Sequence, residues 1–148
     1  MDSHYGDWFA ARYQETRRRL TEAVEPLDET AINWRPQVGS RSIMELVADL
    51  AASLQERLRP ERDSSVLERE PYWMSKEELL RLIDRCFRRL AELASAYGEQ
   101  AGARSDRLEL LHECNHLVSE RLGQVLYLAR MQKAEPAFLY ERDKADSA

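Results

Sequence analysis

The stretch LELLHECNHLVSERLGQVLYLARM, Leu108 to Met131, decides the fold. At about 100° per residue, Leu110, Cys114, Leu117, Val118, Val125 and Leu128 share one arc, with Arg121 near its middle. His112, His116 and Glu120 lie on the opposite side. Apolar residues at that spacing mark an amphipathic helix packed against other helices, not a strand. Three further segments carry the same signature. Phe9, Tyr13, Thr16, Leu20 and Val24 recur three or four apart in a helix from about Gly6 to Glu25, which Pro26 ends. Ser42 and Glu45 form a capping box ahead of Ile43, Met44, Leu46, Val47, Leu50, Ala51, Leu54 and Leu58, and Pro60 stops that helix. Ser75 and Glu78 repeat the box ahead of Leu79, Leu82, Ile83, Cys86, Phe87, Leu90, Leu93 and Ala94; Gly98 and Gly102 mark the end. The quoted helix begins near Asp106 and lasts to about Gln132.

Four such helices bury their stripes most simply as an all-α four-helix bundle, one domain over residues 1–148. The first and third connections, roughly 16 and 14 residues, exceed the usual short links of bundles and permit crossovers. Pro36 and Gly39 argue against regular structure in the first. Residues 133–148 read as a tail whose Phe138, Leu139 and Tyr140 dock back while its last residues fray. A net charge of −5 disfavours nucleic acid as a partner, because such binding depends on neutralising phosphates. No apolar run approaches the roughly 20 residues that span a bilayer. The segment MDSHYGDWFAARYQ lacks a basic and then apolar leader pattern, so a cytoplasmic location is expected.

Cys86 and Cys114 fall at apolar helical positions and read as buried free thiols. Arg17–Arg19, flanked by Glu15 and Glu22, reads as a solvated helix face. Trp34 and Trp73, each near a helix entrance, read as plugs of the bundle end. There is no glycine-rich phosphate loop, Cys-x-x-Cys pair or Gly-x-Ser-x-Gly elbow.

INWRP at residues 32–36, GSRSIMELVADLAAS at 39–53 and HLVSERLGQVLYLAR at 116–130 resemble the DinB/YfiT-like family of metalloenzymes. The resemblance implies a four-helix bundle, commonly a dimer. It also implies a divalent metal held by one histidine of the second long helix and two histidines, four apart, on the last. Some relatives are thiol-dependent transferases or isomerases. Carried over residue by residue, the three metal positions fall on Asp49, Leu117 and Arg121. Leucine has no donor atom, and a guanidinium stays protonated without a free lone pair. The resemblance therefore leads to a degenerate metal site with no cofactor, and to an Asp49–Arg121 ion pair bridging the helices instead. The plainer alternative has Arg121 reaching solvent and Asp49 simply exposed.

Two catalytic alternatives stand beside it. A displaced site of His112, His116 and Glu120, joined by Asp49, would offer donors suited to Zn²⁺, Ni²⁺ or Mn²⁺ in a hydrolase or thiol S-transferase. A metal-free enzyme would use Asp49, Glu45 or Glu113 as general base, although no nucleophile-and-base constellation accompanies them. Gly123 and Gln124 point to close packing against another helix, of the same chain or of a dimer mate. The expectation is a non-catalytic DinB-like bundle: a homodimer or a binder of a small ligand, without nucleic-acid or membrane partners.

Overall fold

A computed structural model of the protein describes residues 3–58, 73–97 and 104–146, with side chains for residues 5–58, 73–97 and 106–132. Its helices are α1 (Ser3–Val24), α2 (Glu29–Ile32), α3 (Ile43–Leu58), α4 (Lys76–Tyr97) and α5 (Arg104–Asp146). Both serine caps act as their spacing dictates. Ser42 Oγ accepts from the Glu45 amide at 3.1 Å, and Glu45 Oε1 accepts from the Ser42 amide at 3.2 Å. Ser75 Oγ accepts from the Glu78 amide at 3.2 Å. Such a cap contributes about 1 kcal/mol.

The first connection is more ordered than its Pro36 and Gly39 suggest. Asp28 caps the single turn α2 by accepting from the Ala31 amide at 2.8 Å, and Gly39, at φ 88°, follows where only glycine adopts the backbone easily. The third connection, residues 98–103, is short; the long ones are residues 25–42 and 59–75. The reason is the Ser75 box, which puts the long polar stretch before the third long helix rather than after it. α5 also continues past Gln132 to Asp146. Docking of Phe138, Leu139 and Tyr140 lies outside the described side chains, and Pro60, Gly98 and Gly102 outside the described residues.

In the bundle α1 packs on α4 and α5, and α3 packs on α5 and α4. α1 and α3, consecutive long helices, are therefore diagonal, which is why the chain between them must be long. Phe9, Tyr13, Leu20 and Val24 of α1 are buried with Ile43, Val47 and Leu50 of α3 and Leu79, Ile83 and Leu90 of α4. Each large apolar side chain so buried contributes about 2 kcal/mol. At one end of the α1–α4 contact, a Cβ on Gly6 would lie 2.7 Å from the Ala94 carbonyl oxygen, so only glycine permits that approach. Further along, Arg17 is not simply solvated; its guanidinium meets the Asp84 carboxylate of α4, which also accepts from Arg88 at 2.6 Å. Arg18 does stay on the surface, paired with Glu15 and Glu22.

The rotation of α5 differs from the helical-wheel expectation. Among its described side chains, 106–132, the buried ones are Leu111, Cys114, Val118, Leu122, Val125, Leu128 and Ala129. Leu111, Leu122 and Ala129 turn the inner face away from Leu110 and Leu117, which are half-buried. Arg121 consequently sits at the edge of that face rather than near its middle. The Tyr13 hydroxyl donates to the Leu111 carbonyl at 2.7 Å and ties α1 to this face.

One end of the bundle is knitted through α2. The Asn33 amide donates to the carbonyls of Glu29 at 2.8 Å and Met74 at 3.0 Å. Gln132 donates to the Ala31 carbonyl at 2.6 Å, and Lys76 to the Glu25 carbonyl at 2.9 Å. Trp34 packs on the core here, but Trp73 is 55% exposed. Met74 takes the place expected of Trp73, because Asn33 pins the Met74 backbone inward. None of the described helices is long and apolar enough to cross a membrane.

Candidate functional site

On α3, Glu45 and Asp49 stand one turn apart, so their carboxylates share a flank of the helix. Three arginines converge on them. Arg35, from the first connection, donates from Nε and Nη2 to the two oxygens of Glu45 at 2.6 and 2.7 Å. This pairing gives the INWRP segment its physical role: it fastens the loop to the capping residue of α3. Hydrogen bonding from Arg35 holds the Glu45 carboxyl below its ordinary range, which makes it a poorer base.

Asp49 is shared. Its Oδ2 accepts from Nη2 of Arg121 on α5 and lies 3.2 Å from Nη1 of Arg41, the residue before the α3 cap. The Arg121 side chain is only 15% exposed, against 34% for Asp49 and 53% for Arg41. Nη1 of Arg121 donates to Oε1 of the exposed Gln124 at 2.8 Å, while its Nε is buried without a hydrogen-bond partner. A guanidinium so enclosed requires a carboxylate, and the α3 flank supplies it.

The other candidate residues are dispersed. Leu117 is half-buried beside the core. His112, His116 and Glu120 are exposed, and the His112 ring stands edge-on to Phe9 at 4.9 Å. Among the described residues no three His, Cys, Asp or Glu side chains are grouped to hold a metal ion. Glu113, also exposed, lies 3.9 Å from Arg57. Each carboxylate considered as a base thus has an arginine beside it. Cys86 and Cys114 are free and buried, and burial pushes both thiols up to about 11, so neither is a ready thiolate near neutrality. Gly123 is exposed, with nothing within 4 Å of where a Cβ would sit, so no helix of the chain packs on it among the described residues. A groove of about 270 Å³ lined by Arg19, Glu22, Ala23, Leu126, Ala129 and Arg130 opens on the α1–α5 side, away from Asp49.

The model of the DinB superfamily matches residues 12–117, which take in most of α1, all of α2, α3 and α4, and the first part of α5. The chain belongs to the DinB superfamily. No curated protein and no solved structure matches it. Within this DinB bundle Asp49 lies inside the matched span, whereas Arg121 falls four residues past its end. Arg41 and Gln124 join this cluster without being among the residues that the sequence points to for it. Arg41 directly precedes the Ser42 cap, and Gln124 is one helical turn from Arg121; those offsets are the signals that could have found them.

Proposed function

We propose that this DinB-superfamily chain works without a metal, as a homodimeric protein that binds a small ligand at the arginine-rich flank of α3 and α5. The observation that carries the reading is the Asp49–Arg121 contact, which joins two helices by charge where the resemblance expects a metal to join them. The residues at the three family positions do not fit a metal. Leu117 has no donor atom, Arg121 is cationic, and the only carboxylate, Asp49, is already engaged by two guanidinium groups.

Elemental analysis of protein purified without a histidine tag tests this reading. Zn²⁺, Ni²⁺ and Mn²⁺ are expected well below one equivalent per chain. Close to one equivalent, lost on His116→Ala, would overturn it in favour of a hydrolase or thiol transferase using His112, His116 and Glu120. Because these three are exposed on the outer face of α5, such a site would need donors from a second chain.

The same outer face supports the homodimer. Gly123 leaves an open notch in the middle of a helix, at a cost of about 1 kcal/mol relative to alanine. Tyr127, one turn on, is 66% exposed. A two-fold axis across this face would seat each tyrosine against the other chain's glycine, a self-complementary arrangement. Light scattering is expected to give twice the chain mass of 17.3 kDa, falling to a single chain in Tyr127→Glu. A wild-type monomer at micromolar concentration would remove the dimer from the proposal.

A further inference from the structure

We infer that Arg41 and Arg121 form a receptor for a small carboxylate, bound on the solvent side of Asp49. The inference rests on the ligand-binding reading above and names the class of ligand. Three observations support it. First, among the described residues the charges do not balance: Arg35 is matched by Glu45, whereas Arg41 and Arg121 share Asp49, leaving one positive charge in excess. Second, both guanidinium groups touch the same atom, Oδ2 of Asp49. They are thus already held at the spacing that a single carboxylate oxygen bridges. Third, the cluster is unevenly covered. The Arg121 side chain is 15% exposed and that of Arg41 53%, so Arg41 lines the open side of the cluster and Arg121 its floor.

The entry point is Nη1 of Arg121. Its partner there, Oε1 of Gln124, is neutral and belongs to an exposed side chain. A ligand carboxylate offers the guanidinium a full negative charge where the Gln124 amide offers only a dipole. It displaces the Gln124 carbonyl, accepts from Nη1, and receives its second bond from Arg41, which can turn towards it without uncovering the core. Asp49 remains where it is and sets the ligand's preferred charge at −1, the charge that the excess guanidinium lacks. A dianion would crowd the Asp49 carboxylate as well as the arginines, so single-charged carboxylates are preferred to phosphate.

The test is a titration of full-length protein with sodium acetate at constant ionic strength, with chloride as the balancing salt. It is followed by the Nε–H resonance of Arg121 and by calorimetry, with inorganic phosphate as a second probe. Acetate is expected to shift that resonance with a Kd roughly in the millimolar range. Arg41→Ala, a change at a half-exposed loop residue, is expected to weaken binding about tenfold or more. Gln124→Ala is expected to leave it unchanged or tighten it, since a competing acceptor is removed. The proposal falls if acetate moves nothing beyond the chloride control, if Arg41→Ala binds as wild type, or if phosphate binds more tightly than acetate. Metal analysis decides the parent reading separately. A metal-free protein indifferent to acetate loses this inference alone, and a metal-loaded one loses both.

Discussion

Asp49→Ala is expected to lower folding stability by about 3 kcal/mol, whereas Arg121→Leu costs about 1 kcal/mol. The two changes delete the same bridge, and the difference comes from what each leaves behind. Without Asp49, a guanidinium 85% enclosed keeps, among the described residues, only the neutral Gln124 carbonyl, and its Nε still has no acceptor there. Without Arg121, Asp49 is a third exposed and retains Arg41. Leucine also restores much of the lost contact with the core. The double variant should then be about as stable as Arg121→Leu alone, because the leucine removes the charge that Asp49 was needed to neutralise. Urea midpoints of the four proteins measure this cycle. If both single changes cost under about 0.5 kcal/mol, the pair is an ordinary screened surface contact, and α3 and α5 are held together by apolar packing alone.

Tyr13→Ala should be the more damaging substitution in the core, at about 4 kcal/mol, with Tyr13→Phe costing about 1 kcal/mol. The ring fills the space between α1 and α5 at 1% exposure, and its hydroxyl reaches the Leu111 carbonyl. Burial, with a smaller contribution from the neighbouring Cys114, pushes this phenol well above its ordinary range. The pH dependence follows from that direction. A group whose pKa is raised by folding contributes in full below its unfolded pKa, about 10 for tyrosine, and loses that contribution as pH rises further. The wild type should therefore weaken above about pH 10, and Tyr13→Phe should weaken less. Cys86 and Cys114, also pushed up by burial, act in the same direction from about pH 8.5. They are untouched in the phenylalanine variant, so the difference between the two curves belongs to the phenol. Parallel alkaline curves would mean that Tyr13 is reached by solvent.

The features readable in advance are those set by neighbours in the chain. The α1 stripe from Phe9 to Val24 and the Ser42–Glu45 box need only three- and four-residue spacing, and the structure places all of them accordingly. α2 escaped notice because a single turn has too few residues for a periodic pattern; its one signal is Asp28 three residues before Ala31. The rotation of α5 is not legible for a different reason. Apolar residues occupy more than half of that helix's circumference, so its sequence permits several inner faces. The choice falls to partners on other helices: Tyr13 captures the Leu111 carbonyl, and Asp49 holds Arg121 at the margin. Asp49 and Arg121 are 72 positions apart, and no helical spacing links them; only the family motifs align them. Arg41 stands next to the Ser42 cap in the chain, but its contact with Asp49 also depends on how the first connection returns to α3, which that position alone does not fix.

The small turn at the bundle's end bears on how long the folded state lasts. Its pins come from Met74, Lys76 and Gln132, which are 41, 51 and 101 positions from the groups they meet. Contacts so distant in the chain carry a large closure entropy and are expected to form after the helices have docked. Interactions added late raise the barrier to escape without hastening arrival. This corner is therefore expected to act as a latch, contributing more to the lifetime of the assembled bundle than to the speed of its making.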